Sequence, residues 1–140
     1  MADTVVPMTK TTFRGFATLN FFAADHEAAK RWYADLFGIE PYFERPGYAE
    51  FRIGDHEAEI GIIDSRYAPH DTTASPAGAF MYWHVDDLEG TLARLTSMGA
   101  TPLQPITERG HGFVKATVTD PFGNIVGIMH NKHYLEMANS

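Results

Sequence analysis

The sequence predicts an α+β fold: two tandem βαβββ modules forming a curved mixed sheet around a cleft. Three observations carry that expectation. Two segments with helical apolar spacing each open on an Asp and close on a Gly, Asp25 to Gly38 and Asp87 to Gly99. Each follows one short apolar strand and precedes three more. Ile60-Gly61-Ile62-Ile63 is answered by Val126-Gly127-Ile128-Met129, and the two Asp caps lie 62 positions apart (87 minus 25), the mark of an internal repeat. A lone unit of this kind covers one face of its sheet with a helix and leaves the other open, so two units in one chain can set their open faces together and enclose a cleft.

A chain of 140 residues has room for one domain or two small modules sharing a core. With 44% hydrophobic and 21% charged residues it is ordinary globular material. A formal charge of -7 and a pI near 5.4 argue against nucleic acid or an anionic membrane as partner, since both reward clustered Lys and Arg. A small organic molecule is the expected partner. No apolar run reaches the ~20 residues of a spanning helix, and the start lacks the basic-then-apolar order of a signal peptide. The absence of Cys removes disulfides and thiolate chemistry and suits a reducing cytoplasm.

Residues 1–12 carry no period and are expected to fray. The first module is assigned to 13–64. Its opening strand spans 16–22, with Leu19 and Phe21 on one face and Thr18, Asn20 and Phe22 on the other. Asp25 caps a helix whose Ala28, Ala29, Trp32, Tyr33 and Leu36 share a stripe, and Gly38 supplies the left-handed stop. Strands are expected over 42–44, 48–53 and 57–63, separated by Pro46-Gly47 and Gly54-Asp55. A Pro, Thr, Ser and Ala-rich linker follows, 65–78. The second module, 79–131, repeats the order: a strand over 80–85, cap Asp87, a helix striped by Leu88, Thr91, Leu92, Leu95 and Met98, then strands near 101–104, 113–119 and 124–130. Asp120-Pro121-Phe122-Gly123 is a turn sequence, in which Asp bonds its downstream backbone, Pro fixes φ and Gly accepts positive φ. Gly127 sits bare in the middle of the last strand, which suggests that something needs room beside it. Glu108-Arg109-Gly110-His111-Gly112 reads either as a lid or as an ordinary hairpin connection. Residues 132–140 are expected to be a frayed tail.

These residues resemble the vicinal oxygen chelate superfamily, which includes glyoxalase I, fosfomycin and bleomycin resistance proteins and extradiol dioxygenases. The resemblance rests on the paired βαβββ units, on Asp25 to Gly38 with its Trp32-Tyr33-x-Asp35-Leu36-Phe37-Gly38 ending, on His84-Val85-Asp86-Asp87-Leu88 and on Asp120-Pro121-Phe122-Gly123-Asn124. It covers roughly 13–131. It implies the paired-module fold and a tendency to form a homodimer. Reaction type does not follow, because one scaffold hosts several chemistries.

Metal-binding members place His or Glu at matching points of the first and last strand of each unit. Here those points fall on Thr18, Gly61, Phe80 and Gly127, where three residues offer no donor and the fourth only a weak hydroxyl. A shift of one residue brings in Asn20 or Glu59 without assembling a His and carboxylate set, so neither a metal nor another cofactor is expected. Among the His residues, His56 and His70 fall in turns, His130 and His133 in the tail, and His26 at a helix start, where an exposed neutral ring is expected. His84 stands apart, because alternation sets Phe80, Tyr82 and His84 on one face with a proton-active group at its rim.

The remaining inward candidates are Asn20, Phe22, Tyr48, Phe51, Glu59 and Lys115, with Tyr67 reaching in from the linker. Ligand positions turned into Gly and Phe open space and line it with apolar surface, which suits burial of a flat apolar or aromatic molecule in the inter-module cleft. A metal-free small-molecule-binding protein is therefore expected. Two alternatives stand beside it. One is a metal-independent lyase or isomerase with His84 or Glu59 as base and Tyr82 as donor; the other is a divalent-metal lyase or dioxygenase in shifted register.

Overall fold

The structure is a computed structural model that describes residues 16–68, 80–110 and 112–139. The expectation for 1–12 and most of the 65–78 linker, His70 included, lies outside the described residues. The first module contains β1 (Thr18–Ala23), α1 (His26–Phe37), β2 (Phe43–Arg45), β3 (Tyr48–Ile53) and β4 (Ala58–Asp64), closed by a 3-10 turn at Ser65–Tyr67. The second contains β5 (Tyr82–His84), α2 (Leu88–Ser97), β6 (Thr101–Glu108), β7 (Phe113–Thr119) and β8 (Ile125–Asn131), followed by α3 (Lys132–Ala138). Each forms its own four-stranded sheet, ordered β1-β4-β3-β2 and β5-β8-β7-β6. The first strand of each runs parallel to the last, which the helical crossover makes possible, and the other pairings are antiparallel. No helix among the described residues is long and apolar enough to cross a membrane.

The helix signals act as the spacing predicts. Asp25 accepts from the Ala28 amide at 3.1 Å, and Asp87 from the Gly90 amide at 3.0 Å. Gly38 ends α1 at φ 72°, a conformation other residues adopt at a cost. Behind each helix lies an apolar core. Ala29 and Tyr33 pack on Phe21, Phe51, Ile60 and Ile62, and Leu95 packs with Ala116, Val118, Val126 and Ile128.

The modules meet through these helix-side cores. Met81, Trp83 and Phe122 pack against the first core, while Trp32 and Leu36 pack against the second. Trp32 Nε1 donates to the Met98 carbonyl at 2.8 Å, and the Arg94 guanidinium donates to the Leu36 and Asp35 carbonyls, both at 2.9 Å. The main lock is the β7–β8 turn. Asp120, 4% exposed, accepts from the Phe122 and Asn124 amides through Oδ1, and from Asn124 Nδ2 and the Tyr33 hydroxyl through Oδ2. Asn124 also clamps β1, donating from Nδ2 to the Phe22 carbonyl (3.0 Å) and accepting from its amide (3.3 Å).

Several expectations are corrected. The tail is not frayed, since Asn131 caps α3 by accepting from the Tyr134 amide at 2.8 Å. His26 is buried at 7% exposure, with Nε2 3.1 Å from the Ile62 carbonyl, because the first helical turn lies directly over β4. β6 reaches Glu108, twice the expected length, through irregular pairing with β7. Phe51 is fully buried beneath α1, because it is three positions from Tyr48 and so points through the opposite face of β3. Of the two readings left open for the segment before β7, the hydrogen bonds fit the hairpin connection, with the Arg109 amide bonded to the Phe113 carbonyl at 2.8 Å and the Phe113 amide to the Gly110 carbonyl at 3.1 Å.

Burial first, and then the neighbouring Asp120 charge, push the Tyr33 phenol well above its ordinary 10.0. The stabilisation linked to that proton is complete below about pH 10 and fades as pH rises through the raised folded value. Tyr33→Phe is expected to cost about 1–3 kcal/mol at neutral pH and to flatten the alkaline limb of a stability–pH curve measured by urea unfolding. The two strand glycines should differ. A Cβ on Gly127 would lie 2.7 Å from the Met81 backbone carbonyl, whereas one on Gly61 would meet the Asn20 side-chain oxygen, which can rotate away. Gly127→Ala should lower stability by about 1–3 kcal/mol and Gly61→Ala by less than about 1 kcal/mol in the same assay.

Candidate functional site

The face of each sheet turned away from its helix carries most of the residues singled out by sequence. In the first module, β1, β4 and β3 align Thr18, Glu59 and Arg52 in one row, Asn20, Gly61 and Glu50 in the next, and Phe22, Ile63 and Tyr48 in a third. Thr18, Asn20, Phe22, Tyr48, Glu59 and Gly61 therefore share this open face. Much of it is internally paired: Arg52 bonds Glu59 at 3.3 Å, Tyr48 donates to Glu50 at 3.0 Å, and the Thr18 hydroxyl donates to the Glu59 carbonyl at 3.3 Å. Burial, and then the hydrogen bond to Glu50, push the Tyr48 phenol up. Tyr67 lies at the end of the module, 59% exposed, with its ring beside Gly47.

In the second module one row runs Tyr82, Gly127, Thr117. The room left at Gly127 is filled by the Tyr82 ring, just as Asn20 and Tyr48 fill the room at Gly61. Phe80, 41% exposed, precedes β5, with its ring 5.5 Å from that of Tyr82. Lys115 Nζ stands 5.3 Å from the centre of the Tyr82 ring. Beneath them Thr117 is fully buried, and its hydroxyl has no hydrogen-bond partner among the described residues. Sequence reasoning missed this Thr, although alternation places it on the Lys115 face.

His84 is held at both nitrogens. Nδ1 accepts from the Asn131 amide at 3.0 Å, which leaves Nε2 to donate to Asp86 at 3.1 Å. Its ring also stacks on Tyr134, centroids 5.0 Å apart. Of the acid–base candidates, Tyr82 and His84 lie together on β5, while Glu59 belongs to the other sheet and pairs with Arg52.

The residues do not fit a divalent metal. At the points the resemblance assigns to ligands, Gly61 and Gly127 have no side chain, and the atoms nearest them are the Asn20 amide oxygen, the Met81 backbone carbonyl and the Tyr48 and Tyr82 rings. Among the described residues no three His, Asp or Glu side chains converge as a metal site requires.

On one side of this helix-side junction the modules leave a cleft of about 890 Å³, lined by residues including Phe37, Asp55, Trp83, Arg94, Ile128 and Tyr134. Tyr82 and His84 are the only sequence-predicted site residues that border it. Its C-terminal wall was legible in principle, since Asn131 three positions before Tyr134 is a capping spacing ahead of good helix formers.

The profile of the Glyoxalase/Bleomycin resistance protein/Dioxygenase superfamily matches residues 15–128. The curated proteins give no match. Among solved structures, a glyoxalase-related enzyme from Fulvimarina pelagi aligns with TM-score 0.69 and 21% identity over 84% of this chain and 88% of that one. A lactoylglutathione lyase from Agrobacterium tumefaciens aligns with TM-score 0.63 and 21% identity over 86% and 96%. A bleomycin resistance determinant encoded on transposon Tn5 aligns with TM-score 0.59 and 18% identity over 84% and 98%. At such identities the structures speak for the fold, and the profile, which spans most of the chain, speaks for the family. Together with the two βαβββ sheets, it shows that the chain belongs to the Glyoxalase/Bleomycin resistance protein/Dioxygenase superfamily.

Proposed function

We infer that this protein binds a small, flat aromatic molecule on its open sheet faces, without a metal, and that a second copy of the chain closes those faces. The observation that carries the reading is the second module's shelf of Phe80 and Tyr82 beside the Lys115 ammonium. Such a shelf offers ring stacking and one cation to orient a carboxylate or carbonyl oxygen. Gly127 supports it by letting the Tyr82 ring lie flat on the sheet. On the first module, Thr18, Asn20, Phe22, Tyr48 and Gly61 form a more polar counter-surface, with Tyr67 at its edge.

The homodimer is favoured by what one chain leaves uncovered. Phe43 and Phe80 are 42% and 41% exposed, and Phe43 shares the open face of the first sheet with Tyr48. Ligand sequestration is favoured over proton-transfer catalysis because the Nδ1 lone pair of His84 is committed to a backbone amide and Glu59 is paired with Arg52.

With 1-naphthoate at tenfold excess over its Kd, the melting temperature should rise by about 3–6 °C, equivalent to about 1.4 kcal/mol. Tyr82→Ala and Lys115→Ala should each weaken binding about three- to tenfold by calorimetric titration. Stoichiometric Zn, Mn, Ni or Fe in protein purified without chelator, or chemical conversion of a bound aromatic compound that His84→Ala abolishes, would overturn the reading. Sedimentation velocity should give a dimer, and a monomer at 100-fold the ligand Kd would remove the second copy from the site.

A further inference from the structure

The two module junctions are built from equivalent parts but are unequally filled. On one side α1 presents Tyr33 to Asp120, and Asn124 clamps the outer edge of β1. On the other side the residue 62 positions after Tyr33 is Leu95, which has no hydrogen-bonding group to offer. There the β3–β4 turn approaches β5 across the 890 Å³ cleft. Among the described residues nothing clamps the outward backbone of Tyr82 and His84 as Asn124 clamps Phe22. Instead α3 bridges the gap, with the Tyr134 hydroxyl donating to Asp55 at 2.6 Å.

The chemistry of the cleft is specific. Its walls are aromatic and aliphatic, with Phe37 and Trp83 5.6 Å apart beside Leu95 and Ile128. Its rim is acidic. Asp55, Asp86 and Asp87 border it, and each meets a neutral donor: the Tyr134 hydroxyl, the His84 ring N–H and the Gly90 amide. Their charges are therefore solvated but not cancelled. Arg94, also on the rim, is engaged with the Leu36 and Asp35 carbonyls and lies 3.7 Å from the Asp35 carboxylate.

We propose that this cleft is a second binding site, meeting the open sheet faces only at Tyr82 and His84 on its border, and that it takes a planar aromatic cation. The rings lie against Trp83 and Phe37 and the positive end faces Asp55 and Asp86, combining apolar burial with cation–π and carboxylate attraction. A volume of this order is what small-molecule sites provide. The opposite charge preference, cationic here and anionic beside Lys115, separates the two sites experimentally.

Proflavine, a planar tricyclic cation, is the probe. Its fluorescence anisotropy should titrate to one molecule per chain in the full-length protein. Thr91→Trp and Ala58→Phe, which fill the cleft from opposite walls, should each weaken binding at least about tenfold, while 1-naphthoate binding stays unchanged. The double variant Asp55→Asn with Asp86→Asn should weaken it about fivefold. Melting temperatures near that of the parent show that the variants are folded, and two filling variants guard against the failure of one. Proflavine affinity unaltered in both folded filling variants, or 1-anilinonaphthalene-8-sulfonate binding the cleft as tightly as proflavine, would overturn the proposal.

Discussion

Two oxygens of Asp120, almost fully removed from solvent, receive hydrogen from two backbone amides, one side-chain amide and one phenol. Burying a carboxylate is costly unless every lone pair finds a donor, and hydrogen bonds to a charged group contribute about 1.5–3 kcal/mol each. Here the donors come from both modules. The turn amides and Asn124 belong to the second and Tyr33 to the first, so satisfying one charge fixes the position of α1 against β8. The rest follows from that placement: Trp32 reaches the Met98 carbonyl, Arg94 reaches the end of α1, and the aromatic rings of Phe37 and Trp83 meet.

Because the modules are joined on their helix sides, the open faces take no part in that junction. This differs from the picture in which a single chain folds its two open faces onto one another. The strand glycines also have a different meaning from empty ligand corners. They are recesses into which neighbouring side chains lie, Asn20 and Tyr48 in one sheet and Tyr82 in the other. At both recesses a ring lies over the glycine, Tyr48 over Gly61 and Tyr82 over Gly127.

What was legible followed local rules. Asp25 and Asp87 as caps, Gly38 as a left-handed stop, the repeat and the turn at Asp120 all depend on residues within a few positions of one another. What was illegible depended on distant partners. Asp120 was recognisable as a turn residue, but its Tyr33 partner is 87 residues away. His26 at a helix start gives no sign that a strand carbonyl lies beneath it. Phe51 was readable from parity alone, since its spacing from Tyr48 excludes a shared face. The cleft combines five segments of chain, and no local pattern announces such a meeting.

The long reach of the Tyr33 hydroxyl also sets an order of assembly. Contacts that close loops this large are slow to form, because chain entropy must be surrendered before they give anything back. As the chain leaves the ribosome, α1 and the first four strands are complete while Asp120 is still to be made, so the phenol waits without its acceptor. The amino-terminal half thus emerges with an unfinished seam, and the β7–β8 turn acts as the keystone that arrives last and makes both halves permanent.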